Sequence, residues 1–184
     1  MKKLMIAAAI VCAAAVGQAA QINWQLNMGQ NIYLPGSTTD KLTSGTAYLF
    51  DSKIKGQTQA NILAAFLGDG IDFSKALAST GVTSSGGLTT KPITSGFTEA
   101  AAASYYFVVV NGKNLFISDY KDIDNPSGTK TTGLPFSPKS PSQGDLNKTG
   151  TYSGAGWYTA VPEPTSGLLL LLGVAGLALR RRRA

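Results

Sequence analysis

The stretch Ser104-Tyr-Tyr-Phe-Val-Val-Val-Asn-Gly-Lys-Asn-Leu-Phe-Ile-Ser118 is the clearest structural signal in the chain. Aromatic and β-branched residues fill most of its first half, and Leu115, Phe116 and Ile117 form an apolar run in its second half, which is typical of β-strands. Asn111-Gly112 lies between the halves. This dipeptide predicts a hairpin with a two-residue type I′ turn, in which both central residues adopt positive φ.

The first half of this stretch is apolar on both faces. Side chains alternate between the two faces of a strand. One set is Tyr106, Val108 and Val110, and the other is Tyr105, Phe107 and Val109. Because an antiparallel strand at the surface usually has one polar face, we expect this strand to be central in its sheet and covered on both sides.

Further strands are predicted on either side of the hairpin, over residues 22–26, 46–51 and 156–161, where β-forming residues lie between Gly, Ser, Thr and Asn clusters. The polar stretches 80–96 and 126–150 are predicted as loops.

Residues 58–67 break the β pattern, because Ile62, Leu63, Phe66 and Leu67 follow a helical spacing. Thr58 is suited to the N-cap of this helix and Gly68 to its end. A second short helix is predicted over 72–78. The predicted fold class is therefore mainly β, with a single antiparallel β-sandwich or jelly-roll-like domain over residues 21–161 and one or two short helices.

The charge of the chain is concentrated at its ends. The net charge is +6, from sixteen Lys and Arg against ten Asp and Glu. Lys2, Lys3 and Arg180 to Arg183 supply six of the basic residues and Glu163 one of the acidic ones, which leaves ten basic and nine acidic residues between them, a net charge of +1. We therefore expect no nucleic-acid partner for the middle of the chain.

The residue types present exclude several kinds of chemistry. The chain has no histidine, and its one cysteine, Cys12, lies near the N-terminus. Triads that need histidine, thiol nucleophiles and ordinary zinc sites are thereby excluded for residues 21–161.

Carboxylates are the remaining candidates for metal binding. Asp119, Asp122 and Asp124 follow the predicted hairpin, and oxygen ligands at such spacing suit Ca²⁺. The EF-hand pattern is absent, since no Gly occupies its turn position and no Glu closes it. The alternative is an ordinary solvated turn, and apart from this calcium hypothesis we expect no cofactor.

Aromatic residues offer a second kind of site. Trp24, Tyr152, Trp157 and Tyr158 would stack on sugars if they lined an open groove, and would otherwise fill the core. A glycosidase needs two neighbouring carboxylates, and Glu99 is the one glutamate between residues 21 and 161. We therefore expect no enzymatic activity.

The N-terminus has the three parts of a secretory signal peptide. Lys2 and Lys3 precede an apolar run over 4–16, and the small-residue segment Gly17-Gln18-Ala19-Ala20 follows. This order predicts a cleavable signal over residues 1–20 and export of the rest of the chain. The alternative is a buried core helix. After cleavage no cysteine would remain, so we expect no disulfides.

The C-terminus combines a rigid tripeptide, a short apolar stretch and a basic cluster. Pro162-Glu163-Pro164 cannot lie inside a helix. The uncharged residues 167–179 would span about 20 Å as a helix, less than the hydrocarbon thickness of about 30 Å. Arg180, Arg181, Arg182 and Arg183 would stop translocation and stay on the cytoplasmic side.

This tail, over about residues 161–184, resembles the PEP-CTERM sorting signal of Gram-negative bacteria. The resemblance implies a transient stay in the inner membrane, recognition of Pro162, Glu163 and Pro164 by the membrane protease exosortase, and cleavage near them. It further implies delivery to the cell surface or to an extracellular polysaccharide matrix. The alternative is a simple membrane anchor that is never cut.

Together these features predict three parts: a signal peptide over 1–20, an exported domain over 21–161 and a sorting segment over 162–184. We expect a structural or adhesive protein of the cell envelope, surface or matrix. The alternatives are a carbohydrate-binding module, with surface polysaccharide as partner and calcium assisting, and a surface polysaccharide hydrolase.

Overall fold

Nine strands, one α-helix and one 3₁₀ turn make up the computed structural model of the protein, which describes residues 19–138 and 148–160. The elements in chain order are β1 (Gln21–Leu26), β2 (Thr46–Asp51), α1 (Gln59–Leu67), the 3₁₀ turn (Phe73–Lys75), β3 (Ala78–Gly81), β4 (Lys91–Ile93), β5 (Ala102–Asn111), β6 (Asn114–Ile117), β7 (Lys121–Asp124), β8 (Thr131–Phe136) and β9 (Gly156–Thr159).

β5 lies at the centre of the larger of two sheets. This sheet has the order β3-β2-β5-β6-β9, and β7 also pairs with β5. Tyr105 pairs with Asp51 of β2 and with Lys121 of β7, so β7 lies on the same edge of β5 as β6 does. The smaller sheet has the order β4-β1-β8. The prediction of a central strand is confirmed.

Two apolar clusters cover the two faces of the large sheet. On one face, Tyr105, Phe107 and Val109 belong to a cluster that also contains side chains of the small sheet, namely Ile22, Trp24, Ile93, Leu134 and Phe136. On the other face, Tyr106 and Val108 pack with Ile62 and Leu63 of α1. The domain therefore has three layers, with the large sheet between the small sheet and the helix. The prediction of a mainly β fold is confirmed.

The hairpin turn is shifted by one residue from its prediction. Asn111 pairs with Asn114 as the last residue of β5, so Gly112 and Lys113 form the turn. Gly112 has a φ of +60°, whereas neither Asn111 nor Lys113 has positive φ. Positive φ at the first central position alone is the pattern of a type II′ turn. The type I′ prediction was wrong, because the pairing of β5 with β6 fixes which residues are left for the turn.

Both predicted loops contain strands. β3 overlaps the start of the range 80–96, and β4 lies within it. β8 lies within the range 126–150. β8 has Gly133 and Pro135 in its interior, which are residues that normally interrupt strands. It tolerates them because it is an edge strand, where one row of backbone groups needs no partner. β8 pairs parallel with β1. The small sheet is therefore mixed, whereas the prediction was an antiparallel fold.

The helix α1 begins and ends where the sequence predicts. The hydroxyl of Thr58 accepts a hydrogen bond of 3.3 Å from the backbone N–H of Asn61, and Gly68 follows the last turn. The second predicted helix, over 72–78, is only the short 3₁₀ turn, because Ala78 already pairs with Leu49 in the sheet. Within the described ranges no helix is long and apolar enough to cross a membrane.

A candidate binding groove and the sorting tail

A β-bulge separates β6 from β7. Val108 and Ser104 of β5 are four residues apart, but their partners Ile117 and Asp122 are five residues apart. One extra residue is therefore inserted opposite β5, in the segment Ser118-Asp119-Tyr120 that joins the two strands. Such bulges re-aim side chains and are over-represented beside functional sites.

Hydrogen bonds of Ser118 hold the bulge in place. Its hydroxyl accepts a hydrogen bond of 2.9 Å from the N–H of Phe107 and donates one of 3.0 Å to the carbonyl of Asp119. Its own carbonyl accepts a hydrogen bond from the buried side chain of Gln59 on α1. Because the Ser118 hydroxyl uses both its acceptor and its donor capacity on backbone groups, the role of this side chain is structural.

Two hollows meet at this bulge. The larger, of about 240 Å³, has Ile32, Phe116 and Trp157 among its apolar lining residues. The smaller, of about 150 Å³, is lined by Tyr120, Lys121 and the segment from Pro135 to Pro138. Ser118, Asp119 and Pro138 line both hollows. We call this continuous surface the Asp119 groove.

Lys148 forms one wall of the groove and is held from several sides. Its Nζ donates hydrogen bonds to the carbonyls of Ala155, at 2.7 Å, and Ser153, at 3.3 Å. Its backbone pairs with the outer edge of β9, since its N–H donates to the carbonyl of Trp157 and its carbonyl accepts from Thr159. This wall is therefore an extension of the large sheet.

Two tyrosines line the groove, Tyr33 in the larger hollow and Tyr120 in the smaller one. Tyr120 is 45% exposed and meets Tyr106 at 88°, with the ring centroids 5.6 Å apart. Tyr152 stacks on Tyr158 at 5.9 Å. Burial raises the pKa of the Tyr106 and Tyr152 phenols above the usual value of 10, and the neighbouring Tyr120 adds to both shifts.

The aromatic residues singled out in the sequence are mostly core residues. Trp24, Trp157 and Tyr158 are at most 1% exposed, and Tyr152 is partly buried. The indole N–H of Trp157 donates a hydrogen bond of 3.0 Å to the carbonyl of Tyr33. The exposed aromatic at the groove is Tyr120, which sequence reasoning missed because it lies in the bulge and follows no strand or helix period.

The three aspartates of the calcium hypothesis are divided between the groove and β7. Asp119 lines the groove, whereas Asp122 and Asp124 lie on one face of β7. The carboxylate of Asp122 accepts a hydrogen bond from the hydroxyl of Ser104 on β5. No group of three or more Asp, Glu, His or Cys side chains that could hold a metal occurs in residues 19–138 and 148–160. The calcium hypothesis stays a prediction without a gathered ligand set.

The remaining candidate acid has a structural contact. The carboxylate of Glu99 accepts a hydrogen bond of 3.0 Å from the N–H of Gly128 and so ties two loops together. Next to it, the buried side chain of Asn125 accepts from the Tyr105 hydroxyl at 2.8 Å and donates to the carbonyl of Thr98 at 2.9 Å.

The fold reaches to the start of the tail. The hydroxyl of Thr159 donates to the side chain of Asn114 at 2.8 Å, and the N–H of Ala160 donates to the carbonyl of Lys113 at 2.9 Å. Pro162, Glu163 and Pro164, the apolar stretch 167–179 and the four arginines lie outside the described residues, as do residues 1–18 of the predicted signal peptide.

Comparison with known proteins identifies this tail. No curated protein matches the chain. The PEP-CTERM protein-sorting motif matches residues 160–183, so the match begins at Ala160, whose N–H donates to the carbonyl of Lys113. The chain therefore ends in a PEP-CTERM sorting motif, which implies export and exosortase-mediated sorting to the cell surface.

Proposed function

We propose that the β domain is a non-enzymatic structural or adhesive component of the cell surface or the surrounding matrix. The observation that carries this proposal is the sorting motif at residues 160–183, directly joined to β9. The signal peptide over 1–20 starts export, and the tail then directs the folded domain to its destination.

The tail acts in three steps. Residues 167–179 enter the inner membrane, and Arg180 to Arg183 keep the end of the chain in the cytoplasm. Because this stretch is short for the bilayer, it suits a temporary stay. An exosortase-type protease then cuts near Pro162-Glu163-Pro164 and releases the domain.

The contacts of the acidic residues support a structural role for the domain. Glu99 binds the backbone of Gly128, Asp122 binds Ser104, and Asp72 accepts hydrogen bonds from Ser74, which lower its pKa below the usual value. Each of these carboxylates stabilises a turn or a strand pair. Hydrolysis of glycosides would instead require two of them to face each other across a substrate.

The strand edges indicate how the domain makes contact with its surroundings. The edge strands of the small sheet each contain a proline, Pro92 in β4 and Pro135 in β8. Lys148 pairs with the outer edge of β9. These features hinder the addition of a further strand at these three edges, so we infer that partners bind to side-chain surfaces there.

The test replaces Pro162-Glu163-Pro164 by three alanines in a host that contains exosortase. We expect the full-length protein to accumulate in the inner membrane, with the arginines still present in C-terminal mass spectra. Pro92→Ala, at an exposed edge far from the tail in sequence, is the control and should be processed like the wild type. Normal release of the triple-alanine variant would refute the proposed sorting route.

The structural or adhesive role is tested separately on cells that lack the gene. We expect weaker attachment to surfaces or a weaker extracellular matrix, and recovery with the wild-type gene but not with the triple-alanine gene. Unchanged attachment and matrix strength in the deletion strain would refute this role. Polysaccharide cleavage by the purified protein would instead favour the hydrolase alternative.

A further inference from the structure

We propose that one end of the large sheet is a contact surface for the protease that processes the tail. This surface, which we call the turn end, consists of the β5–β6 turn and the end of β9, with residues Asn111, Gly112, Lys113, Asn114 and Thr159. The inference rests on the proposed function, in which an exosortase-type protease recognises Pro162-Glu163-Pro164. It adds the part of the folded domain that this protease touches.

The turn end holds the chain at the point where the tail begins. The N–H of Ala160 donates a hydrogen bond of 2.9 Å to the carbonyl of Lys113. One residue earlier, Thr159 pairs with Asn114 in the sheet, and its hydroxyl donates to the Asn114 side chain at 2.8 Å. The position from which the sorting motif departs is therefore fixed beside the turn.

β9 is anchored in the core and keeps this position. Trp157 and Tyr158 are 1% and 0% exposed. β6 pairs with one edge of β9, and the backbone of Lys148 pairs with the other. Release of β9 would expose both aromatic side chains to water and break the pairing on two edges. We therefore expect the protease to meet the domain with β9 in place.

The connection between the turn end and the recognised tripeptide is short. Val161 is the one residue between Ala160 and Pro162. Two residues of fully extended chain span at most about 7 Å. The Cα atom of Pro162 is therefore within about 7 Å of the Cα atom of Ala160, whatever path the chain takes between them.

A protease that binds the tripeptide covers more surface than the tripeptide alone. A specific protein–protein contact buries about 800 Å² on each partner, which is a patch about 28 Å across. Neighbouring strands lie about 4.8 Å apart, so the ends of β9, β6 and β5 lie within about 10 Å of one another. A contact of that size around Pro162 extends over the β5–β6 turn.

The side chains of the turn end are accessible to a partner. Gly112 and Lys113 are exposed, and Asn111, Asn114 and Thr159 are partly buried. Lys113 carries the charge of this surface, and the other four residues are neutral. A protease surface complementary to it presents carboxylates or carbonyl oxygens opposite the ammonium group of Lys113.

The experiment places the photo-crosslinking residue p-benzoylphenylalanine at position 113 of the full chain, together with a tagged, catalytically inactive exosortase. The matched control has the same probe at position 121. Lys121 is also an exposed lysine, but its partner Tyr105 lies six positions before Asn111 in β5, about 20 Å along the strand. Because the probe reaches only nearby atoms, we expect at least about fivefold more adduct with the exosortase from position 113 than from position 121.

A spacer tests the reason given for the contact. Ten Gly and Ser residues inserted between Ala160 and Val161 leave the tripeptide intact and lengthen the reach from about 7 Å to about 40 Å. We expect active exosortase still to process this variant, while the adduct from position 113 falls to the level of position 121. An undiminished adduct would contradict the geometric argument.

Charge reversal tests the chemistry of the partner surface. We expect Lys113→Glu to slow processing by active exosortase about threefold or more, and Lys121→Glu to be processed like the wild type. In the spacer variant Lys113→Glu should have no effect. Processing of Lys113→Glu at the wild-type rate would refute the acceptor groups assigned to the protease.

Melting curves show whether each variant is folded, and a probe at Asn111 keeps the test valid if the substitution at position 113 unfolds the domain. Equal adducts from positions 113 and 121, no adduct with the exosortase, or adducts with lipid alone would refute the contact surface. Processing of the wild-type chain is measured in parallel. A chain that is processed but gives no adduct refutes this inference alone, whereas a chain that active exosortase does not process refutes the proposed function.

Discussion

The hydroxyl of Tyr105 in β5 donates a hydrogen bond of 2.8 Å to the side-chain oxygen of Asn125, just beyond β7. Both side chains are buried. Asn125 also donates through its side-chain nitrogen to Thr98, and its backbone N–H donates to Ala101. One amide side chain therefore holds together β5, the end of β7 and the loop before β5.

The first prediction concerns this contact. Asn125→Ala should lower the free energy of unfolding by about 2–3 kcal/mol, because it leaves the Tyr105 hydroxyl and the Thr98 carbonyl without this partner inside the protein. Tyr105→Phe removes one hydrogen bond and should cost about 1 kcal/mol. Urea unfolding measures both. A smaller loss for Asn125→Ala than for Tyr105→Phe would contradict the role given to Asn125.

The second prediction concerns alkaline pH. Burial, with a smaller contribution from the nearby charge of Asp51, raises the pKa of Tyr105 to about 12. In the unfolded chain a tyrosine has a pKa of about 10. Stability from Tyr105 is therefore complete below pH 10 and is lost between pH 10 and 12, at up to about 1.4 kcal/mol per pH unit. The free energy of unfolding stops falling once the Tyr105 phenol is deprotonated in the folded protein as well.

The measurement is the free energy of unfolding against pH for the wild type and Tyr105→Phe. The variant should start lower at pH 8 but fall less steeply above pH 10. Tyr106 and Tyr152, whose pKa values are also raised, contribute to the slope in both proteins and cancel in the comparison. Parallel curves above pH 10 would show that Tyr105 does not keep its proton in the fold.

The third prediction separates backbone conformation from close packing at two glycines. Gly86 and Gly56 have nearly the same φ, +82° and +83°. A Cβ on Gly86 would lie 3.0 Å from the carbonyl oxygen of Ile32 and from Cβ of Lys41, whereas one on Gly56 would meet nothing within 4 Å. Gly56→Ala should cost about 1 kcal/mol and Gly86→Ala about 2–4 kcal/mol.

Thermal unfolding of the two alanine variants provides the comparison, and each serves as the control of the other. Both variants place an alanine at a positive φ. The difference between their melting temperatures therefore measures the effect of the close contact between residue 86 and the segment 31–41. Equal melting temperatures would mean that this segment can move away without cost.

The fourth prediction tests the position of the hairpin turn. Asn111 is a strand residue paired with Asn114, so Asn111→Thr should change the free energy of unfolding by less than about 0.5 kcal/mol. Gly112→Ala should cost about 1 kcal/mol, since φ is +60° there. If Asn111 and Gly112 formed a type I′ turn, Asn111→Thr would be the more destabilising of the two substitutions, because Thr would have to adopt positive φ at position 111. Denaturant unfolding of the two variants decides between the turns.

Several elements could be predicted because their signal is local. Alternation in β5 requires only neighbouring residues, and the spacing, cap and terminal glycine of α1 lie within eleven residues, 58–68. β8 could not be predicted in this way. Its Gly133 and Pro135 are unfavourable in isolation, and it forms a strand because Gln21–Leu26, more than 100 residues earlier, provides a parallel partner.

The candidate site shows the same division. The aspartates were visible in the sequence, but the pairing of β5 with both β6 and β7 determines that Asp122 contacts Ser104 and that Asp119 lines a groove. Tyr120 had no sequence signal, because its exposure depends on a single inserted residue in that pairing. Trp157 was open to two readings from the sequence, sugar stacking or core packing, and it is buried because β9 brings it into the cluster that also contains Phe107 and Phe116.

The sequence by itself determined the central strand, the helix and the sorting tail, since each is a short-range pattern in which residue types and their order carry the physical property. Only the tertiary structure decided the turn residues, the parallel pair of the small sheet and the residues that line the groove. These features depend on strand register, and register is set by the packing of side chains from segments far apart in the chain.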